Sequence, residues 1–173
     1  QEGGLIRQLN RGAQEAKGDI LFFLPADSRL LENLFQPIER ALQEPGSAGG
    51  GFTLDYGEEL RWKILSAGAN FRGRRLGLPM GDQGIFLRRE DFERLGGFRE
   101  GPLLPDLDLM KRLSHYGKIT VLPERLGTSP RRYEQNGLFR NWVLNQALFI
   151  THQAFPEKAP AWAIAALGRL RRR

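Results

Sequence analysis

The chain has 173 residues, 40% of them hydrophobic, which is enough for one packed core rather than several small independent ones. It contains no cysteine, so disulfide staples, thiolate metal sites and a cysteine nucleophile are excluded, and any metal falls to carboxylates, imidazole or water. A formal net charge of +6, with four arginines between Arg169 and Arg173, points to an anionic partner. A nucleoside diphosphate, an acidic lipid headgroup and nucleic acid all present phosphate oxygens that Arg binds through paired hydrogen bonds.

Gly18-Asp19 leads into Ile20 to Leu24, a short apolar run without alternation, which reads as a strand buried on both faces of a parallel sheet. Leu34, Phe35, Ile38, Ala41 and Leu42 recur at helical spacing between Glu32 and Gln43, and Pro45-Gly46 stops the pattern. Phe52 to Tyr56 reads as a strand after three glycines, followed by helix from Glu58 to Arg75. Gly84 to Leu87 is strand-like, and Glu90 to Leu95 is a short helix closed by Gly96-Gly97. The pattern then predicts helix over Asp106 to Tyr116, strand over Ile119 to Leu122, and a loop holding Arg131-Arg132-Tyr133. An amphipathic helix follows from Gly137 to Phe155, with Phe139, Trp142, Val143, Leu148, Phe149 and Ile150 on its apolar face.

Strands alternating with helices predict an α/β domain with a mainly parallel sheet, in which ligands bind beyond the carboxyl ends of strands. Residues 1–135 read as the α/β part. Residues 136–173 read as a helical extension that packs on it or on a membrane surface. The longest apolar stretch, Ala159 to Leu167, falls short of the ~20 residues a spanning helix needs and carries Pro160. The first residue is Gln and no signal pattern follows it, so the chain reads as a piece of a longer protein. A cytoplasmic setting fits, with peripheral attachment to the inner membrane face left open.

Asp27 stands three residues past the buried run, where a carboxylate can hold a divalent cation or simply close a turn. Asp106-Leu107-Asp108 opens a predicted helix, where Asp is favoured by the positive end of the dipole and where an ionised Asp can also serve as a base. Gly81-Asp82-Gln83-Gly84 joins flexible backbone to groups that hydrogen-bond hydroxyls, and Arg131-Arg132-Tyr133 suits a phosphate or a sugar. A plain turn and a solvated loop look the same. His115 and His152 show no metal-ligand spacing with each other. A nucleophile elbow and a phosphate-binding Gly-rich loop ending in Lys-Ser or Lys-Thr are both absent.

Taken in order, these segments resemble the family 2 glycosyltransferases, and more closely the bacterial radical-SAM/selenodomain-associated transferase 2 subgroup. The matching pieces are Arg7 to Gly12, Ala16 to Leu24, Ala26 to Leu30, Gly81 to Phe86, Leu95 to Phe98, Asp106 to Leu109 with Arg112-Leu113, and Thr128 to Tyr133. The resemblance implies a GT-A-like fold whose first strands lie upstream of Gln1. It implies transfer from a nucleotide-sugar donor, a UDP-sugar first, to an unidentified acceptor, with inversion, using Mn²⁺ or Mg²⁺. Asp27 then matches the metal-binding Asp and Asp106 the catalytic base. Arg7, Asn10, Arg131 and Arg132 match donor contacts. Gly81, Asp82, Gln83 and Asp108 match the sugar and acceptor side.

Two positions depart from the subgroup, which usually has His where this chain has Pro25 and Glu where it has Pro105. They open a second reading, a non-catalytic scaffold binding a saccharide or a lipid headgroup. A basic nucleic-acid-binding module rests on charge alone, and no nucleic-acid partner is expected.

Overall fold

The computed structural model describes residues 4–156, 160–163 and 165. The arginine tail and, within the Ala159 to Leu167 stretch, residues 159, 164, 166 and 167 lie outside the described residues. Five strands, β1 (Ile20–Phe23), β2 (Ser28–Leu30), β3 (Ser47–Asp55), β4 (Ile85–Arg88) and β5 (Lys118–Thr128), form one sheet in the order β1-β4-β3-β5-β2. The helices are α1 (Leu5–Glu15), α2 (Phe35–Gln43), α3 (Leu60–Leu76), α4 (Arg89–Arg94), α5 (Pro105–Leu113), α6 (Arg131–Asn136) and α7 (Leu138–Ala154). A 3-10 turn spans Gly81–Gln83.

The α/β class holds, but the sheet is mixed rather than mainly parallel. Only β3 and β5 pair in parallel, while β1 with β4, β3 with β4, and β2 with β5 are antiparallel. An apolar run reports that both faces are covered and carries no information about strand direction.

Alternation along β4 divides the core. Ile85 and Leu87 face a cluster with Leu21, Phe92, Leu109, Met110 and Leu113, and Phe86 faces one with Leu34, Ile38, Phe52 and Leu126. Strand β3 passes between its neighbours as bare backbone. A Cβ on Gly50 would sit 2.0 Å from the Thr120 carbonyl oxygen, and one on Gly49 2.5 Å from that of Phe86. The three glycines therefore belong to the strand and do not precede it.

Strand β5 continues past Pro123, where the sequence reading ends it. Phe52 pairs with Leu122 and Thr53 with Arg125, so Pro123 and Glu124 bulge out and the ladder resumes beyond them. Thr53 Oγ1 donates to the Leu122 carbonyl at 2.7 Å beside the interruption. Helix α7 packs on the domain through Leu148 beside Leu103 and through Leu138 beside Trp62 and Tyr133. No described helix is long and apolar enough to cross a membrane.

Candidate active site

The register sets where the loops meet. Strand β4 runs antiparallel to both β1 and β3, so β1, β3 and β5 point the same way and their carboxyl ends share one edge with the amino end of β4. That edge gathers the 24–27 turn, Tyr56, the Gly81–Gln83 turn and Thr128 with Ser129.

Hydrogen bonds tie these pieces together. The Ser129 N–H donates to the Asp27 carbonyl at 3.3 Å, and the Ser28 and Thr128 hydroxyls lie 3.3 Å apart. Thr128 Oγ1 donates to the Asp82 carbonyl at 3.2 Å. The Gly81 N–H donates to Asp106 Oδ2 at 2.6 Å. A Cβ on Gly81 would come within 3.1 Å of that same oxygen, so glycine permits the approach. Hydrogen bonds through Ser28, Thr128 and Ser129 link the Asp27 turn to the Gly81–Gln83 turn, and Gly81 in turn holds Asp106.

The two unusual prolines have local roles here. The Pro25 carbonyl accepts the Ser28 N–H at 3.1 Å and closes the turn that presents Asp27. Pro105 occupies the first turn of α5, where a missing N–H costs nothing, and it starts the helix that carries Asp106.

Asp82 is turned inward. Its Oδ2 accepts the Tyr56 hydroxyl at 2.9 Å, and its Oδ1 is buried without a protein partner. Burial pushes this carboxyl up from its ordinary value, and the nearby Asp106 charge adds to the rise, while the Tyr56 hydrogen bond and Arg72 oppose it. Burial likewise raises Tyr56, with Asp82 as the next cause. Tyr133 stands edge-on to Tyr56 at 5.4 Å between ring centres and is also raised, first by burial. The sequence reading missed Tyr56 as a site residue. The available signal was a polar-tipped aromatic at a strand's carboxyl end.

The remaining expected residues differ in their partners. Gln83 is fully buried, donating to the Phe52 carbonyl at 3.0 Å and accepting the Met80 N–H at 3.3 Å, so it fixes backbone and does not face the open edge. Asn10 clamps Phe98 with two hydrogen bonds, through Nδ2 at 2.9 Å and Oδ1 at 3.0 Å. Asp108 Oδ2 accepts Arg112 Nε at 2.9 Å, and the same guanidinium donates to the carbonyls of Leu95 and Gly97. Arg7 is exposed and pairs with Glu100 at 3.0 Å. Arg131 and Arg132 are exposed in the first turn of α6, where a loop was expected, and their side chains form no ion pair among the described residues.

The larger surface hollow, about 430 Å³, lies at the opposite end of the sheet around Ile20, Glu39 and Arg88 and contains none of these residues. A smaller one, about 250 Å³, opens beside Leu54, Asp55 and Arg125 at the carboxyl end of β3. Among the described residues, no three His, Cys, Asp or Glu side chains converge into a ready-made cage for a metal. Asp27 is a single exposed carboxylate on a turn. Such a donor suits a hard cation that keeps water and takes most of its other oxygens from a phosphate-bearing ligand.

The family model for glycosyl transferase family 2 matches residues 1–96. The chain belongs to the family 2 glycosyltransferases. A solved mannosyltransferase from Pyrobaculum calidifontis, in complex with GDP-Man and Mn²⁺, resembles this family 2 chain with a TM-score of 0.59 at 19% identity. The likeness covers 92% of this chain, which spans 46% of that one, and it establishes a GT-A glycosyltransferase fold. A search of curated proteins finds no match.

Proposed function

We propose that this family 2 chain carries part of the site that transfers a sugar from a nucleoside-diphosphate donor to an acceptor hydroxyl. The observation that carries the reading is the contact between the Gly81 N–H and Asp106. One carboxylate oxygen is held by backbone, which orients the group, and the other has no protein hydrogen bond and is left to take a proton. Asp106 is the base: it removes the acceptor's proton as the acceptor oxygen attacks the anomeric carbon and the nucleoside diphosphate leaves from the opposite face. The configuration inverts in this single displacement.

Asp27 would hold the cation. When bound, Mn²⁺ or Mg²⁺ neutralises charge growing on the departing diphosphate. The exposed pair Arg131 and Arg132, on the helix that follows Ser129, contributes positive charge toward the same phosphates. The mannosyltransferase that shares the fold binds GDP-Man with Mn²⁺, which supports a nucleotide-sugar donor and sets GDP beside UDP as the bases to test.

The test is calorimetric titration of UDP and of GDP into the protein with and without Mn²⁺. The expected result is binding that requires the metal and weakens at least about tenfold in Asp27→Asn, a loss the size of one charge-assisted contact. Binding indifferent to both metal and Asp27 overturns the assignment of Asp27.

A further inference from the structure

Helices α3 and α7 lie side by side. Leu65 and Ala69 of α3 share a cluster with Leu138, and the Arg72 guanidinium stands 5.6 Å from the Phe149 ring centre. Both helices then present apolar residues on the side away from the domain. On α3, Leu60, Ile64 and Phe71 fall at i, i+4 and i+11, with Leu60 74% and Phe71 66% exposed. On α7, Phe139 is 73% and Ile150 66% exposed, and Trp142 stacks on Phe139 at 6.3 Å. Exposed apolar residues grouped on one side of each of two neighbouring helices mark a contact surface.

Charge selects the partner. Neither α3 nor α7 carries a carboxylate; of the α3 arginines near its carboxyl end, Arg72 turns inward toward Phe149 and Arg74 donates to Thr53 Oγ1, which leaves Arg75, with Arg140 of α7, exposed. Glu59 and Glu58, just before α3, pair with Arg61 and Lys63. Arg75 lies over Phe71, and Arg140 forms no ion pair among the described residues. A second copy docked by two-fold symmetry would set this cationic face against itself. Aromatic and aliphatic side chains beside Arg75 and Arg140, with no carboxylate on either helix, match the interface of an anionic bilayer, where rings enter the acyl boundary and guanidinium groups meet phosphate.

We propose that the outward faces of α3 and α7 together dock the protein on a membrane surface carrying anionic lipid. The inference rests on no part of the transferase reading, and its test reads no activity. The chain is floated with vesicles of phosphatidylcholine alone and with vesicles containing about 30 mol% phosphatidylglycerol, at low and high salt.

Flotation with the anionic vesicles only, weakening as salt rises, is expected. Arg75→Glu and Arg140→Glu should each weaken it roughly fivefold or more. Phe71→Ser combined with Phe139→Ser should weaken it at least about tenfold. All four positions are exposed, and unchanged thermal melting confirms that the variants fold. No flotation with anionic vesicles overturns the proposal, as does equal flotation with neutral ones. Binding unaltered by all four substitutions also overturns it and moves the contact to Arg169–Arg173. Self-association that these substitutions abolish, with no vesicle binding, assigns the face to a second copy instead.

Discussion

Helix α5 carries two aspartates two positions apart, and the fold uses them in opposite ways. Asp106 gives one oxygen to the Gly81 N–H and keeps the other without a protein hydrogen bond. Asp108, roughly 200° around the helix, is absorbed by Arg112, which also holds the carbonyls of Leu95 and Gly97. Side chains so placed cannot converge on one ligand. An Asp-x-Asp string on a helix is therefore a poor metal motif, and the two carboxylates differ in their partners: Asp106 Oδ2 meets a neutral backbone N–H and Asp108 Oδ2 the Arg112 guanidinium.

The comparison breaks most visibly at Asp106. Asp106→Asn keeps an acceptor for the Gly81 N–H but removes the proposed base, so turnover should fall about 10²- to 10⁴-fold while the melting temperature and nucleotide binding hold. Initial rates beside a thermal melt would check it. Asp108→Ala should do the reverse. It leaves a largely buried guanidinium unpaired and should cost about 3 kcal/mol in urea unfolding, with transfer by the folded fraction preserved.

Asp82 sharpens the contrast through pH. Burial raises its folded-state pKa above the ordinary 3.8, so the native state holds a proton that the unfolded chain has released. That contribution is full below pH 3.8 and is lost as pH rises toward the folded value, with a slope of at most about 1.4 kcal/mol per pH unit. Asp82→Asn has no such proton to lose, and its stability profile across that window should be flatter than that of the parent. Arg7→Ala forms the small end of the series. Its pair with Glu100 is exposed on both sides, and stability should move by less than about 0.5 kcal/mol.

Much of this arrangement is legible without coordinates. The apolar run at Ile20 to Phe23 and the periodicity of Phe35–Gln43 and Leu138–Ala154 emerge as the expected elements. Asp27 and Asp106 come out at a strand's carboxyl end and a helix's first turn. What escapes local pattern is partnership over distance. Asn10 is bound to Phe98, 88 positions away, and Gln83 to Phe52, 31 away, and both partners are backbone atoms that no side-chain motif announces. Short β2 and short α6 carry too few residues to show a period. Proline within β5 mimics the end of a strand.

That proline also sets where the chain can vary in length. Pairing resumes after Pro123-Glu124 with the next residues of β3 in unbroken order, Thr53 with Arg125 and Leu54 with Leu126. The two extra residues are carried outside the ladder, so removing or lengthening them leaves the later partners in step. Position 123–124 is thus an expansion joint: a label or short insert placed at exposed Pro123 should leave Thr128 paired with Ser28.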